Sequence, residues 1–253
     1  MIDVVLARLQ QKHRTTKFPK GPAPELPERF RGMPRIDSSR CRAGCRACVE
    51  ACPTGAASLA ASGLLRIDLG RCLFCAECAA ACPTGAVEFT REYRLATRKR
   101  ADLVAGEEGR RLAEALDAKT RKLFGRSLKL REVSAGGCNA CETDTNVLST
   151  VGWDLGRFGI QFVASPRHAD GVLVTGCVPE NMKLALEKTY QAVPAPKLVI
   201  AVGACAISGG PYIDRPEIHN GITEILPVDL YVPGCPPHPL TILDGLLRLL
   251  GRV

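Results

Sequence analysis

Short apolar runs that alternate with stretches of helical periodicity dominate the C-terminal half of the chain. The predicted strands are 128–133, 160–164, 171–175, 198–202 and 230–232, and the predicted helices are 142–151, 180–192 and 238–250. Strands that alternate with helices favour a parallel sheet covered on both faces. The pattern therefore predicts an α/β domain over residues 128–253.

The first 35 residues predict an amphipathic helix followed by an extended arm. Ile2, Val5, Leu6 and Leu9 fall on one face of a helix over the first 13 residues. Four prolines within residues 18–27 exclude a helix or a central strand there. An arm of this kind either clasps a partner subunit or is a solvated linker.

Residues 36–90 contain an internal repeat of cysteines. The run Cys-x-x-Cys-x-x-x-Cys-Pro-Thr-Gly-Ala occurs at 45–56 and again at 75–86, and each copy has one further cysteine before it. This is the run of a two-cluster ferredoxin, in which three close thiols hold one cubane and the cysteine before proline reaches the other. The predicted ligands are Cys41, Cys45, Cys48 and Cys82 for one [4Fe–4S] cluster, and Cys52, Cys72, Cys75 and Cys78 for the second.

Zinc is the alternative metal for such cysteines, but zinc ribbons use pairs of Cys-x-x-Cys and not triplets followed by Cys-Pro. The first copy also departs from the common spacing. Three residues, Arg42-Ala43-Gly44, separate Cys41 from Cys45 where two are usual. We expect Gly44 to take up the extra residue in a small bulge. Without that bulge, the first site would hold a three-iron cluster or an unusual ligand.

Residues 91–127 are charged and helix-prone, and we expect them to connect the two halves. Leu112, Leu116 and Leu123, within a helical stretch from 109 to 124, predict one buried stripe. The charged run is interpreted as a solvated face, with a contact to an acidic partner or a membrane surface as the alternative.

Five cysteines follow the predicted strands of the C-terminal half. Because ligands bind beyond the carboxyl ends of parallel strands, their thiols are expected to converge. Cys138 and Cys141 follow the first strand, and glycines and prolines around Cys205 and Cys235 direct amide groups toward sulfur. Cys177 leads directly into a helix, where a buried structural thiol is the commoner outcome. The predicted ligands of a third cluster are Cys138, Cys141, Cys205 and Cys235.

Composition narrows the possible functions. A hydrophobic content of 46% with 24% charged residues is typical of a soluble globular protein, and neither a membrane span nor a secretory signal is predicted. Thirteen cysteines without an export signal indicate reduced, metal-binding thiols. The net charge of +8 suits nucleic acid, but aromatic residues are few. Three clusters with a charge of about −2 each would lower the net charge of the chain to roughly +2. The basic residues are then mostly counter-charges to the clusters, so no nucleic-acid partner is expected.

These motifs resemble known families. Residues 128–253 resemble the small subunit of membrane-bound group 4 [NiFe] hydrogenases, whose superfamily includes the complex I subunit that carries the terminal cluster. The motifs that carry this resemblance are 136–142, 202–206, Gly209-Gly210 and 233–237. Residues 36–90 resemble the two-cluster ferredoxin subunit of the same complexes, fused here as in hydrogenase-4 or formate hydrogenlyase assemblies. The resemblance implies a flavodoxin-like domain that uses the four cysteines predicted for the third cluster as its proximal [4Fe–4S] ligands.

The resemblance also implies a function. The chain would be the electron-transfer subunit of an oxidoreductase, with three [4Fe–4S] clusters and no substrate chemistry of its own. Implied partners are a hydrogenase large subunit with its Ni–Fe site or the complex I-like equivalent, membrane-arm subunits, and a donor dehydrogenase or ferredoxin. Its implied location is the cytoplasmic face of the membrane, through those partners. The Cys-x-x-Cys at the first position favours the hydrogenase branch, since complex I members have adjacent cysteines there.

Other functions stay open from the residues alone. One is the equivalent subunit of a complex I-related quinone or ferredoxin oxidoreductase without nickel. Others are a freestanding ferredoxin-type carrier and a cluster-delivery protein. Arg46 and Arg71, beside ligands, would either raise a cluster's potential or face solvent. Glu142 and His238 would either touch a proton route or hydrogen-bond their own loops.

Overall fold

A computed structural model describes residues 2–42, 44–106 and 111–253. The chain begins with helix α1 (Ile2–Gln11), as the periodicity predicts. No residue of α1 is buried, and Ile2, Val5 and Leu9 are each more than half exposed. Among the described helices, none has both the length and the apolar character that crossing a bilayer requires.

The proline-rich arm lies along the chain's own surface. Phe18 is buried and meets the ring of Tyr93 edge-on, with 6.2 Å between the ring centroids. The guanidinium of Arg157 donates hydrogen bonds to the carbonyls of Thr16 and Phe18. The amide of Thr16 donates to the carbonyl of Gly152 at 2.8 Å. At this end the arm is therefore packed against the chain rather than solvated.

In its described residues, the ferredoxin half, from β1 to β5, has two small antiparallel sheets, two α-helices of four residues each and two short 3-10 helices. Its strands are β1 (Pro34–Ile36), β2 (Ala57–Leu59), β3 (Leu65–Asp68), β4 (Val87–Phe89) and β5 (Val104–Ala105), and its helices are α2 (Ala47–Glu50) and α3 (Glu77–Ala80). Strand β1 pairs with β4, while β3 lies between β2 and β5. Residues beyond position 90 thus contribute a strand to this half.

The segment that joins the two halves differs from the predicted helix. Helix α4 (Ala118–Phe124) begins only at Ala118, where Asp117 accepts hydrogen bonds from two amides of the first turn. Residues 107–110 lie outside the described residues. Leu116 is buried, but Leu123 is 56% exposed and Phe124 is buried instead. The predicted stripe is wrong at Leu123 because Leu116 precedes the helix, so helical spacing does not relate the two positions.

The α/β half (residues 128–253) has a single parallel sheet with helices between its strands. Its strands are β6 (Leu128–Ser134), β7 (Ile160–Phe162), β8 (Gly171–Thr175), β9 (Leu198–Val202) and β10 (Leu230–Val232), and its helices are α5 (Ala140–Val147), α6 (Glu180–Ala192), α7 (Ala204–Ser208) and α8 (Pro239–Leu249). The sheet order is β7-β6-β8-β9-β10, and every neighbouring pair is parallel. This is the flavodoxin-like order. The five predicted strands and three predicted helices are confirmed, with α5 ending earlier, at Val147.

The two halves meet beside the carboxyl ends of β9 and β10. The Ser208 hydroxyl donates a 2.7 Å hydrogen bond to the carbonyl of Gly70. Thr97 pairs with Tyr231 through two backbone hydrogen bonds of 2.8 and 3.0 Å, which covers part of the edge strand β10. A Cβ atom at Gly70 would lie 2.8 Å from the side chain of Ile207. The close contact brings the thiols of the ferredoxin half next to those of the sheet edge.

Candidate metal centres

The first set of predicted ligands shares one cavity. Cys41, Cys45, Cys48 and Cys82 line a space of about 420 Å³, and Cys41 is exposed. Partial burial raises the pKa of the Cys41 thiol, and the charges of Cys82 and Cys45 add to the rise. The fold therefore brings together four thiols that are far apart in the sequence.

The extra residue before Cys45 is taken up in a turn. Gly44 has a φ of +75°, a left-handed conformation that glycine adopts without steric cost. The amide of Cys45 donates a 3.1 Å hydrogen bond to the carbonyl of Arg42. Ala43 lies outside the described residues. With this turn in place, Cys45 lines the same cavity as the other three thiols.

The second set is more deeply buried. Cys52, Cys72, Cys75 and Cys78 line a common cavity beneath Phe89. Burial raises the pKa of Cys72 to about 12 and that of Cys78 to about 11, and neighbouring thiol charges add to both rises. These two buried thiols resist ionisation by themselves, whereas a metal that binds thiolates stabilises the ionised form.

Each set takes its fourth thiol from the other copy of the repeat, as a two-cluster ferredoxin requires. The two Cys-Pro turns have the same hydrogen bonds, since the amides of Ala56 and Ala86 each donate to the preceding cysteine sulfur at 3.2 Å. Burial acts to raise the pKa of Cys82, but its hydrogen bonds, led by that of Thr84, outweigh this and lower it to about 7. The turns therefore favour the thiolate, which is the form that binds iron.

The third set lies at the carboxyl edge of the parallel sheet. Cys138 follows β6, Cys141 lies on α5, Cys205 lies on α7 and Cys235 follows β10. Burial raises the pKa of Cys205 to about 12, and the charge of Cys235 adds to the rise. Burial and the charges of Cys205 and Cys235 also raise the pKa of Cys141. Cys138 and Cys235 are exposed, so one side of this set is open.

Glycines allow the backbone to approach these sulfurs closely. A Cβ atom at Gly203, whose φ is +92°, would lie 2.5 Å from the sulfur of Cys141. One at Gly210, whose φ is +55°, would lie 2.8 Å from the sulfur of Cys205. Any other residue would clash with a sulfur as well as strain the backbone. The glycines of the loop around Cys205 therefore leave the space that the sulfurs of Cys141 and Cys205 occupy.

Cys177 lies beside the third set with its thiol already bonded. It is buried, and its Sγ donates a 3.4 Å hydrogen bond to the carbonyl of Gly136. Its charge contributes to the raised pKa of Cys205, after burial and the charge of Cys235. A fifth thiol is therefore close to the site, but it has a backbone partner of its own.

The donor sets fit clusters better than single ions. Within 2–42, 44–106 and 111–253, no three His, Cys, Asp or Glu side chains are arranged to hold one metal ion. A zinc site would bring four ligands to one ion. In a cubane each thiolate binds a different iron, so the sulfurs of one set lie farther apart. Three sets of four cysteines match the all-thiolate donors that cubanes use.

Two arginines occupy matching positions near the first two sets, and sequence reasoning missed one of them. A Cβ atom at Gly85 would lie 3.1 Å from Nη2 of Arg40, and one at Gly55 would lie 4.0 Å from Nη1 of Arg71. Each guanidinium thus lies over the turn that supplies its site's fourth cysteine. The arginine that was missed is Arg40. The sequence feature that indicates it is a second repeat, Ile-Asp-x-x-Arg-Cys, at 36–41 and 67–72.

Glu142 and His238 hydrogen-bond their own surroundings. The buried Glu142 carboxylate accepts 2.6 Å hydrogen bonds from the hydroxyls of Ser134 and Thr175. Nδ1 of His238 accepts a 3.1 Å hydrogen bond from the amide of Leu240 and so caps the start of α8. Of the two roles expected for this pair, the structure displays the loop-stabilising one.

Sequence profiles of two families match the chain. The family described as NADH ubiquinone oxidoreductase, 20 Kd subunit, matches residues 138–249. The family described as 4Fe-4S dicluster domain matches residues 40–86. The second match contains all eight cysteines of the first two sets, and the first contains Cys138, Cys141, Cys177, Cys205 and Cys235. The matches indicate iron–sulfur clusters as cofactors.

Individual relatives belong to oxidoreductase complexes. A probable membrane-bound hydrogenase subunit, mbhJ, of Pyrococcus furiosus is 39% identical over 58% of this chain and 87% of the relative. Formate hydrogenlyase subunit 7 of Escherichia coli is 41% identical over 54% of this chain, and the match spans only 54% of that subunit. One subunit of the NADH-quinone oxidoreductase of Citrifermentans bemidjiense is 44% identical over 46% of this chain and 68% of the relative.

Proposed function

Because the chain belongs to the family of the NADH ubiquinone oxidoreductase 20 kDa subunit, we propose that it carries electrons in a membrane-associated [NiFe] hydrogenase of the formate hydrogenlyase type. It would pass single electrons through three [4Fe–4S] clusters to or from the active site of a large subunit. The observation that supports this proposal most is the spatial order of the three thiol sets across the two halves, first, second and third, which we call the succession.

Two electrostatic interactions between the sets support this order. The charge of Cys48, in the first set, contributes to the raised pKa of Cys78 in the second, after burial and the nearer thiols. The charge of Cys75, also in the second set, contributes to the raised pKa of Cys235 in the third, after burial and the charge of Cys138. The second set therefore lies between the other two. A bound cubane at each would supply one-electron chemistry, while the chain holds the sulfurs and sets their surroundings.

The ligands in this proposal are the twelve cysteines of the three sets, with Cys177 left out. Its hydrogen bond to Gly136 supports that choice. The open side of the third set, where Cys138 and Cys235 are exposed, is the face for the large subunit. Membrane-arm subunits would hold the complex at the cytoplasmic face of the membrane, and a dehydrogenase or ferredoxin would supply electrons.

A second candidate is the equivalent subunit of a complex I-related oxidoreductase without nickel. The relative that belongs to an NADH-quinone oxidoreductase favours it. The spacing of Cys138 and Cys141, with two residues between them, favours the hydrogenase type, which also has two relatives among the matches.

Metal analysis of the intact complex purified from membranes tests both candidates. The proposal predicts about twelve irons per chain, three cubanes of four, together with nickel in a co-purifying subunit. Iron at that level without nickel would instead support the complex I-related candidate. About four irons per chain would contradict the three sites.

A further inference from the structure

With the large subunit on the open side of the third set, the first thiol set is the end of the succession that a protein in solution can reach. Cys41 is exposed and Cys45 is partly exposed, whereas Cys72 and Cys78 of the second set are buried. The third set is at the other end, next to Cys75. An electron that arrives from a separate carrier protein therefore has its shortest approach through the face around Cys41.

Two exposed arginines stand on that face without acidic partners. Arg42 and Arg46 lie on the loop that carries Cys41 and Cys45, and both are exposed. Neither forms an ion pair with any acidic side chain of the described residues, whereas Arg35 on β1 is paired with Glu88 at 2.5 Å. An unpaired guanidinium keeps its full set of donors for a carboxylate on another molecule.

Among the described residues, no negative side chain lines the first cavity, although the carboxylate of Asp37, outside the lining, lies near enough to Cys41 to add to the rise of its pKa. Among the described residues that line the cavity, Arg42 is the charged one. Leu59 and Leu64, from the β2–β3 hairpin, line the same cavity and are partly exposed. A small apolar area beside unpaired arginines is what a brief, electrostatically guided contact needs, since electron-transfer interfaces are small and charge sets the association rate.

We propose that Arg42 and Arg46 form a docking face for an acidic protein electron carrier that exchanges electrons with the first site. The proposal rests on the proposed function and adds the partner's chemistry and the residues that meet it. The carrier is a one-electron carrier protein with a carboxylate-rich surface. In each encounter the carrier is oxidised by one electron and the first site is reduced by one, and no bond is made or broken.

The test is stopped-flow reduction of the cluster-loaded complex by a reduced, acidic ferredoxin at several ionic strengths. For the double variant Arg42→Gln/Arg46→Gln we expect a second-order rate constant at least about tenfold lower at low salt, converging with the wild type at high salt. Arg66→Gln and Lys99→Gln together are the matched control, because they remove the same charge from exposed positions of the same half that form no ion pair with the described residues. Their rate constant should stay within about twofold of the wild type, since the effect is local.

Two further measurements distinguish lost docking from a damaged cluster and from a changed potential. Reduction by the methyl viologen radical cation should be at least as fast in the double variant as in the wild type, because removing two positive charges does not hinder a small cation. Potentiometric titration followed by EPR measures the first site's potential in both variants, and the loss of rate should exceed what any shift of that potential accounts for. An equal loss in the double variant and its control, a salt-independent rate, or a loss that follows a changed potential would overturn the docking face. A complex that the viologen radical cannot reduce at any site would instead contradict the proposed function.

Discussion

Cys75 of the ferredoxin half and Cys235 of the α/β half lie close enough for the charge of the Cys75 thiolate to oppose ionisation of Cys235. Part of Cys235 is open to solvent, but desolvation of its thiol is still the largest cause of its raised pKa. This electrostatic interaction links two thiol sets that belong to different halves of the chain. Electron transfer through this protein therefore depends on how the two halves pack.

Adding a side chain at Gly70 should disturb the packing between the two halves. Gly70→Ala would place a Cβ atom 2.8 Å from both Ile207 and the guanidinium carbon of Arg100. Overpacking of this kind costs about 1–3 kcal/mol. We expect the free energy of unfolding of the holo-protein, measured by denaturant titration, to fall by that amount. Gly106→Ala is the control, because its nearest contact would be an ordinary 3.5 Å. Equal stability in the two variants would contradict the close contact.

The third site should be lost selectively when a side chain is added at Gly203. Gly203→Ala would bring a Cβ atom within 2.5 Å of the Cys141 sulfur. We expect the purified chain to lose about four of its twelve irons, with the EPR signals of the first two clusters unchanged. Gly63→Ala is the matched control, since Gly63 also has a positive φ but its Cβ would meet nothing within 4 Å. A full iron content in Gly203→Ala would show that the loop is not fitted to the sulfurs.

Cys177 and Cys205 should respond differently to the same change. Cys177→Ser should keep about twelve irons per chain, because its thiol is bonded to the Gly136 carbonyl and is not among the proposed ligands. Cys205→Ser should reduce the count to about eight. The measurement is iron and acid-labile sulfide content after anaerobic purification. The reverse pattern would make Cys177 the ligand.

Arg40 and Arg71 should each set the potential of one cluster. A positive charge beside a cluster stabilises the reduced, more negative state, so Arg40→Gln should lower the first potential and Arg71→Gln the second. The shift should be at most about 59 mV, which is a tenfold change in the reduced-to-oxidised ratio for one electron. EPR-monitored titration measures both clusters in each variant. Equal shifts of both potentials in either variant would contradict the paired arrangement over Gly85 and Gly55.

The iron-free protein should become less stable in alkaline solution. The pKa values of Cys72, Cys78 and Cys205 are about 12, 11 and 12 in the folded chain, above the ordinary thiol value of 9.0. The folded state therefore binds more protons than the unfolded state above about pH 9, and the stability from these neutral thiols is lost as the pH rises toward 12. Urea unfolding of the reduced iron-free chain at pH 8 and pH 10 should show this loss. Cys72→Ser should make the pH dependence less steep, and an unchanged slope would contradict the burial of this thiol.

The sequence predicts the α/β half well because its strands are short apolar runs that are buried on both faces. Strands β8 and β9 are buried at every position and match the predicted bounds. The cysteine repeat likewise predicts which thiols of the ferredoxin half share a cavity, since the spacing of cysteine and proline is itself the geometric constraint.

What the sequence did not predict depends on contacts between distant residues. Leu123 was expected in a buried stripe, but tertiary packing limits the helix to α4 and buries Phe124 instead. The repeat at 36–41 and 67–72 makes Arg40 the counterpart of Arg71, but it does not place Arg40 over Gly85, 45 positions away. The electrostatic interaction between Cys75 and Cys235 is likewise not predicted, because it exists only once the two halves have packed.

Low-temperature EPR of the reduced, cluster-loaded chain tests the central claim most directly. The account predicts three distinct [4Fe–4S] signals, with magnetic coupling between the second and third clusters that is removed when either is lost through Cys75→Ser or Cys205→Ser. Fewer than three signals, bound zinc in place of iron, or coupling only between the first and third clusters would contradict it.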